Sequence, residues 1–201
     1  MQYVNEAEYY HIQRNKRWGD RDNWNVGDVI EIGKIQNKFM ESRYSTDYKI
    51  DPELNFESVI LKLQGKPLDK MDRRFLQDIS NVWREYITKT REYIFEYERV
   101  RINNKLPSRF RCLFVTDKEG IKYWLPLLGN ADEASIYKLA LTGIIHKTNE
   151  KFVRLNTNSQ EFNHEQARKY WAGEDAEQQG YEYLFEGKVK VLDVVNKVYQ
   201  V

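Results

Sequence analysis

Between Leu68 and Val100 the chain contains neither glycine nor proline. Within that run Leu68, Met71, Phe75, Ile79, Val82, Tyr86, Tyr93, Tyr97 and Val100 recur at spacings of three, four or seven. The spacing predicts one long amphipathic helix over 68–100, because residues so placed share a face of a 3.6-residue helix. Pro67 stands just ahead of it and Leu106-Pro107 follows its end, as expected where a chain must turn. A helix with an apolar stripe has to be covered, so the remaining segments must supply a second layer.

Those segments read mostly as strands. "EYYHIQR" (Glu8 to Arg14) is an aromatic-rich alternating run, "VGDVIEIGK" is a shorter second strand, and "RCLFV" is a compact third after the proline turn. Thr116, with Glu119 three residues on, has the form of a capping box opening a helix that carries Tyr123 and Trp124. "IYKLALTGII" alternates as a strand, and "NHEQARKYWAG" reads as a helix with Asn163 as N-cap and Gly173 as stop. "YEYLFEGKVKVLDVVNKVYQV" reads as two strands paired about Gly187. Strands toward both ends with helices between them predict an α+β fold with an antiparallel or mixed sheet, in a single domain over 1–201.

Composition excludes several function classes. With 32 basic against 31 acidic side chains, net charge gives no general attraction to nucleic acid or anionic lipid, so any anion site must be local. Cys112 is the only cysteine, which rules out an internal disulfide and a thiolate zinc site, and suits a reducing, cytoplasmic compartment. No run approaches the ~18 apolar residues of a membrane span. His146 and His164 lack companions at metal-ligand spacing and read as structural, so no metal is expected. Glycine-rich nucleotide fingerprints and a nucleophile elbow are absent from the sequence.

The charge that does segregate lies in the span from Arg99 to Arg111, with Arg99, Arg101, Lys105, Arg109 and Arg111 and no carboxylate. This is either a solvated helix end whose cations complement the helix dipole or a phosphate-binding element, with Arg109, inside the turn, its best-placed member. Tyr10, His11, Phe114, Tyr123 and Trp124 fall near predicted strand ends and on the first turns of a helix, forming either core or a slot for a flat heterocycle. Glu182 alternates with Tyr181, Tyr183 and Phe185, so it is set on the opposite face of its strand, facing either solvent or a site.

In chain order, "YYHIQR", "CLFVTDKEGIKYW" and "YEYLFEGKVKVLDV" resemble an ADP-ribosyltransferase domain of the diphtheria-toxin and poly-ADP-ribose-polymerase type. That family carries a histidine on its first core strand, an aromatic on a later strand running into a helix with a second aromatic, and a glutamate on a late strand. The segments "PSRFRCLFV" and "ARKYWAG" are also similar to a small bacterial family of uncharacterised proteins linked to this fold. The resemblance implies a split β core and NAD as substrate. It implies that His11 binds a ribose hydroxyl, that Phe114 and Trp124 sandwich nicotinamide with Tyr123 in the same cofactor-binding slot, and that Glu182 holds the nicotinamide-ribose 2′-hydroxyl, with Glu186 the alternative carboxylate. Arg109 and Arg14 would meet the pyrophosphate. ADP-ribose would pass to a macromolecular acceptor, whether protein, RNA or DNA, and a toxin of a toxin–antitoxin or anti-phage module would add an antitoxin or regulatory protein as partner. Two departures stand out: Ile12-Gln13-Arg14 replaces the glycine usual soon after the histidine, and Phe114 replaces the commoner tyrosine. A non-catalytic binding domain of the same fold, using helix 68–100 as a partner surface, is the competing reading.

Overall fold

Among the described residues, five strands form one antiparallel sheet: β1 (Gln2–Arg14), β2 (Val29–Ile32), β3 (Leu113–Val115), β4 (Ala134–Asn149) and β5 (Tyr181–Val194). The computed structural model describes residues 1–14, 23–45, 64, 73–128, 134–153, 159–176 and 180–195. The helices among those residues are α1 (Lys38–Ser45), α2 (Arg73–Asn103), α3 (Gly120–Leu128) and α4 (Gln160–Ala172), with a 3-10 turn at Glu150–Val153. The fold is α+β, as the sequence predicts.

The strands run in the order β1-β4-β5-β2, and β3 pairs with β5 beside β2 on the same edge. β3 meets Tyr183 to Phe185, and β2 meets Gly187 to Lys190. The sheet then curls far enough for Thr116, just past β3, to pair with Tyr10 of β1 through two backbone bonds of 2.8 Å. Four strands thus close into a ring at a single bridge. Beyond that bridge β1 departs from β3, and the sheet is split there.

Register sorts the two faces, since directly opposed residues of an antiparallel pair point the same way. Leu113, Val115, Tyr137, Leu139, Leu141, Ile145, Tyr183, Phe185, Val189 and Val191 fill the inside of the curl as one apolar cluster. The outer face is covered by helices. Phe95 of α2 and Tyr170 and Trp171 of α4 pack on Leu184 and Phe114, while Ile121 and Leu125 of α3 pack on Tyr10, Ile12 and Ile136.

Sequence and structure differ at several places for identifiable reasons. The long helix is confirmed over Arg73–Asn103, and 68–72 lie outside the described residues. The expected stripe holds in the first half, where Ile79 is buried and Phe75 and Val82 are half-buried, and fails beyond it: Thr88, Glu92, Phe95, Glu98 and Arg99 turn inward, whereas Tyr86, Tyr93, Tyr97 and Val100 are exposed, together with Trp83. Charged side chains occupy the covered face because each finds a partner there. Arg99, for example, donates to the carbonyls of Asn104 at 2.8 Å and Leu106 at 2.7 Å.

Asp117, not Thr116, caps α3, its carboxylate accepting from Gly120 N–H at 2.8 Å while the Thr116 backbone is held by Tyr10. Ser159, not Asn163, caps α4, accepting from Phe162 N–H at 3.0 Å; Gly173 ends that helix at φ 68°, as expected.

The expected strand pair about Gly187 is one continuous strand. Gly187 at φ 141° lies opposite Gly143 at φ 155°, and a Cβ added at either would come within 2.4–2.5 Å of backbone oxygen on the facing strand. Two glycines face to face let β4 and β5 approach closely instead of turning. Gly143→Ala is therefore expected to destabilise the fold by about 1–3 kcal/mol. The check is a thermal melt, at roughly 2–4 °C per kcal/mol for a domain this size.

Candidate functional site

A cavity of about 550 Å³ opens at the split, between the diverging end of β1 and the β3–β2 edge. Tyr10, His11, Trp24, Phe114, Trp124 and Glu182 contribute to its wall, and its volume lies within the ~300–1,000 Å³ typical of small-molecule sites.

His11 belongs to the inner face of β1, in register with Tyr137 and 5.4 Å from the Trp24 ring. Continuing the β1–β3 pairing by two residues would set Ile12 opposite Phe114. Instead, His11 Nδ1 lies 2.8 Å from the Phe114 carbonyl. A carbonyl only accepts, so Nδ1 carries the proton and Nε2 is the acceptor nitrogen of the neutral ring. The histidine bridges the seam where the backbone ladder stops.

Glu182 comes from the outer face of β5, beside Phe114 and under α2 and α4. Its Oε1 accepts from the Tyr170 hydroxyl at 2.6 Å and from Arg109 Nη1 at 3.0 Å. Arg109 also donates from Nη1 to the Tyr170 hydroxyl oxygen, and from Nε to Glu92 Oε2 at 2.7 Å and Nη2 to Glu92 Oε1 at 3.3 Å. Arg91 Nη2 reaches Glu92 Oε1 at 2.6 Å. Burial alone would raise the Glu92 carboxyl, but the adjoining Arg109 and Arg91 charges outweigh it and hold the group at about 2. Burial works against the Arg109 charge too, and Glu92, Tyr170 and Glu182 overcome it, keeping the guanidinium protonated. The Tyr170 hydroxyl is pushed well above its ordinary value, chiefly by burial, and stays a donor. Burial likewise raises the Cys112 thiol, which lines the cavity as an inert wall.

Of the residues singled out in sequence, His11, Arg14, Phe114, Trp124 and Glu182 all reach the cavity wall. Trp124 is fixed by its indole N–H, which donates to the Tyr181 carbonyl at 2.8 Å. Tyr123 does not line the cavity; its hydroxyl bonds Glu150, and its ring meets Trp124 edge-on. Arg109 lines the wall yet is 5 % exposed, with its fork spent on Glu92, Tyr170 and Glu182. Its expected role as a pyrophosphate contact gives way to that of an internal counter-ion. Arg111 reaches the cavity with its side chain 47 % exposed, its Glu186 partner 3.9 Å away, and Arg14 is anchored through Nη2 on the Leu127 carbonyl at 2.8 Å. Glu186 accepts from Ser108 N–H at 2.8 Å and is not part of the wall, which distinguishes it from Glu182.

Trp24, Tyr170 and Glu92 were not read as site residues from the sequence. Trp24 had a weak signal, a lone aromatic in the polar stretch "RDNWNVGD". Tyr170 and Glu92 had none, because their roles depend on the packing of α2 against α4. Among the described residues, no group of three His, Cys, Asp or Glu side chains is placed to hold a metal, and no helix is long and apolar enough to cross a membrane.

Residues 9–197 match the model of a family described as "Protein of unknown function (DUF2441)". No curated protein matches the chain.

Proposed function

Because the chain belongs to the DUF2441 family, whose description assigns no activity, we propose from the site itself that the protein is an NAD-dependent ADP-ribosyltransferase. The observation that carries this reading is that His11 and Glu182, on opposite faces of the sheet, both reach the cavity at its split, with Phe114 and Trp124 beside them. In the reaction the bond between nicotinamide nitrogen and ribose C1′ breaks, and its electron pair neutralises the pyridinium as nicotinamide leaves. The sugar passes through an oxocarbenium-like state, which an ionised Glu182 stabilises. A nucleophile on the acceptor then bonds to C1′ and gives up its proton. His11 would orient ribose, and the aromatic wall would hold the flat ring. Arg111 and Arg14, rather than the internally paired Arg109, are the cations suited to the pyrophosphate.

The acceptor class is a macromolecule, protein, RNA or DNA, in the cytoplasm of a bacterial host, where such a protein would act as a toxin or anti-phage effector restrained by an antitoxin or regulatory protein. The test is labelled NAD added to lysate, followed by protease or nuclease. Label removed by protease identifies protein, label removed by RNase or DNase identifies that nucleic acid, and nicotinamide release without labelled macromolecule identifies an NAD glycohydrolase. If neither label nor nicotinamide appears, the reading is overturned.

One observation favours a second reading, a binding domain without catalysis. Trp83, Tyr86, Tyr93, Tyr97 and Val100 make an exposed row along α2, with Arg101 stacked 5.5 Å from the Tyr97 ring centre. Aromatic residues so placed are enriched at protein interfaces. A shift of melting temperature by NAD without turnover would decide for that reading.

A further inference from the structure

Buried charge usually costs stability unless it is paired, and even paired it is often no better than an apolar core. Here two carboxylates and two guanidinium groups, Glu92, Glu182, Arg91 and Arg109, are gathered beside a cavity, with Tyr170 between them. The arrangement is asymmetric in a way that stability alone does not require. Both donors that reach Glu182 bond the same oxygen, Oε1, and among the described residues no hydrogen bond falls on Oε2. Glu182 is part of the cavity wall, so one oxygen is held and the other is left to meet whatever enters. Arg109, meanwhile, gives two donors to Glu92 and one to Glu182.

We propose that Tyr170 and Arg109 are positioning residues that clamp Oε1 of Glu182 so that Oε2 faces the substrate, and that Glu92 draws off Arg109 charge that would otherwise neutralise the clamped carboxylate. The proposal deepens the transferase reading and rests on it for the identity of the substrate. Its electrostatic logic follows from the requirement of the reaction. A carboxylate that stabilises a developing sugar cation must be ionised, yet not already cancelled by a private cation. A guanidinium paired with Glu182 alone would secure ionisation and weaken the field at Oε2. Sharing the guanidinium with Glu92 secures orientation while leaving charge on the exposed oxygen. The groups that act on Glu182 are Arg109 and Cys112 from the segment before β3, Tyr170 from α4 and, through Arg109, Glu92 from α2; Glu186 lies four residues along the same face of β5.

Tyr170→Phe removes a donor from Oε1, and Glu92→Gln frees Arg109 to bear more fully on Glu182, so both should misdirect the carboxylate. Its setting is followed at pH 7 by carbon-13 NMR of labelled glutamate, the Glu182 signal being the one absent from Glu182→Gln, and its use by nicotinamide release. In both variants that signal is expected to move and kcat to fall about tenfold to a hundredfold, with KM for NAD unchanged, because a misdirected carboxylate affects the transition state more than binding. A Glu182 signal that stays at its wild-type position in either variant overturns the clamp. If Glu92→Gln fails to fold, Tyr170→Phe alone decides by a moved signal or none. The two readings fail separately. Moved signals in the variants of a protein whose wild type never cleaves NAD uphold the clamp and reject the transferase, while cleavage with unmoved signals upholds the transferase and rejects the clamp.

Discussion

Arg109→Ala is expected to lower unfolding stability by about 3–5 kcal/mol, the cost typical of removing one partner from a buried ion pair. Glu92, 1 % exposed, would keep Arg91 as its remaining cation, and Glu182 would keep only Tyr170. The pH dependence between pH 2 and 4.5 should weaken as well. In the wild type the Glu92 carboxyl lies at about 2, below its ordinary 4.5. Its contribution is therefore complete above pH 4.5 and is lost as pH falls from there through about 2. Without Arg109 only Arg91 opposes burial, so the carboxyl rises from about 2, and the stability it contributes through ionisation shrinks. Urea melts of both proteins across pH 3–7 check this. A variant as stable as wild type, with the same slope against pH, would show that Arg109 is not an internal counter-ion. Reduced NAD affinity without a change in stability would restore the pyrophosphate role.

The second large effect concerns Glu182→Gln, for which a loss of NAD cleavage by about 10²–10³-fold is expected, the scale of deleting one oriented group that stabilises transition-state charge. Stability should change little. The amide oxygen can accept from Tyr170 and Arg109 as Oε1 does, and Arg109 retains Glu92. NAD binding, followed as a rise in melting temperature, should survive, because the carboxylate acts on the sugar only as positive charge develops. In a bacterial host, arrested growth on inducing the wild type should be relieved by the same substitution. Undiminished cleavage by Glu182→Gln would remove this residue from the chemistry, and loss confined to Glu186→Gln would transfer the role four residues along β5.

Which parts of this were legible in the sequence follows from how local each signal is. Asp117 and Ser159 displaced the expected caps by one and four positions, small errors in a local signal. The run free of glycine and proline marked α2 because helix formation depends on neighbouring residues. Which face of α2 is covered was not legible, since Tyr86, Tyr93 and Tyr97 have the spacing of a core stripe and are nevertheless exposed, while Glu92 and Arg99 are buried. Residues beyond the helix explain that inversion, Arg109 for Glu92 and the carbonyls of Asn104 and Leu106 in the turn after α2 for Arg99. Gly187 looked like a turn because its meaning depends on Gly143 across the sheet. Alternation along one strand was enough to set Glu182 apart from Tyr183 and Phe185, but not to reveal that Tyr170 and Arg109 would seize one of its oxygens.

The ring of strands has a consequence for how the protein comes into being. His11 and the Phe114 carbonyl are 103 positions apart, and the carboxylate opposite them arrives later still, on β5. Contacts of such sequence separation close late, because the loop entropy must be overcome before they yield any gain. β5 is also the strand on which β2, β3 and β4 all pair. A nascent chain that has not yet released Tyr181–Val194 from the ribosome therefore has neither the central strand of its sheet nor Glu182, and it makes no cavity for its own β1 and β3 to frame. On the proposed reading, a chain still short of β5 lacks both the carboxylate and the cavity that transfer would need.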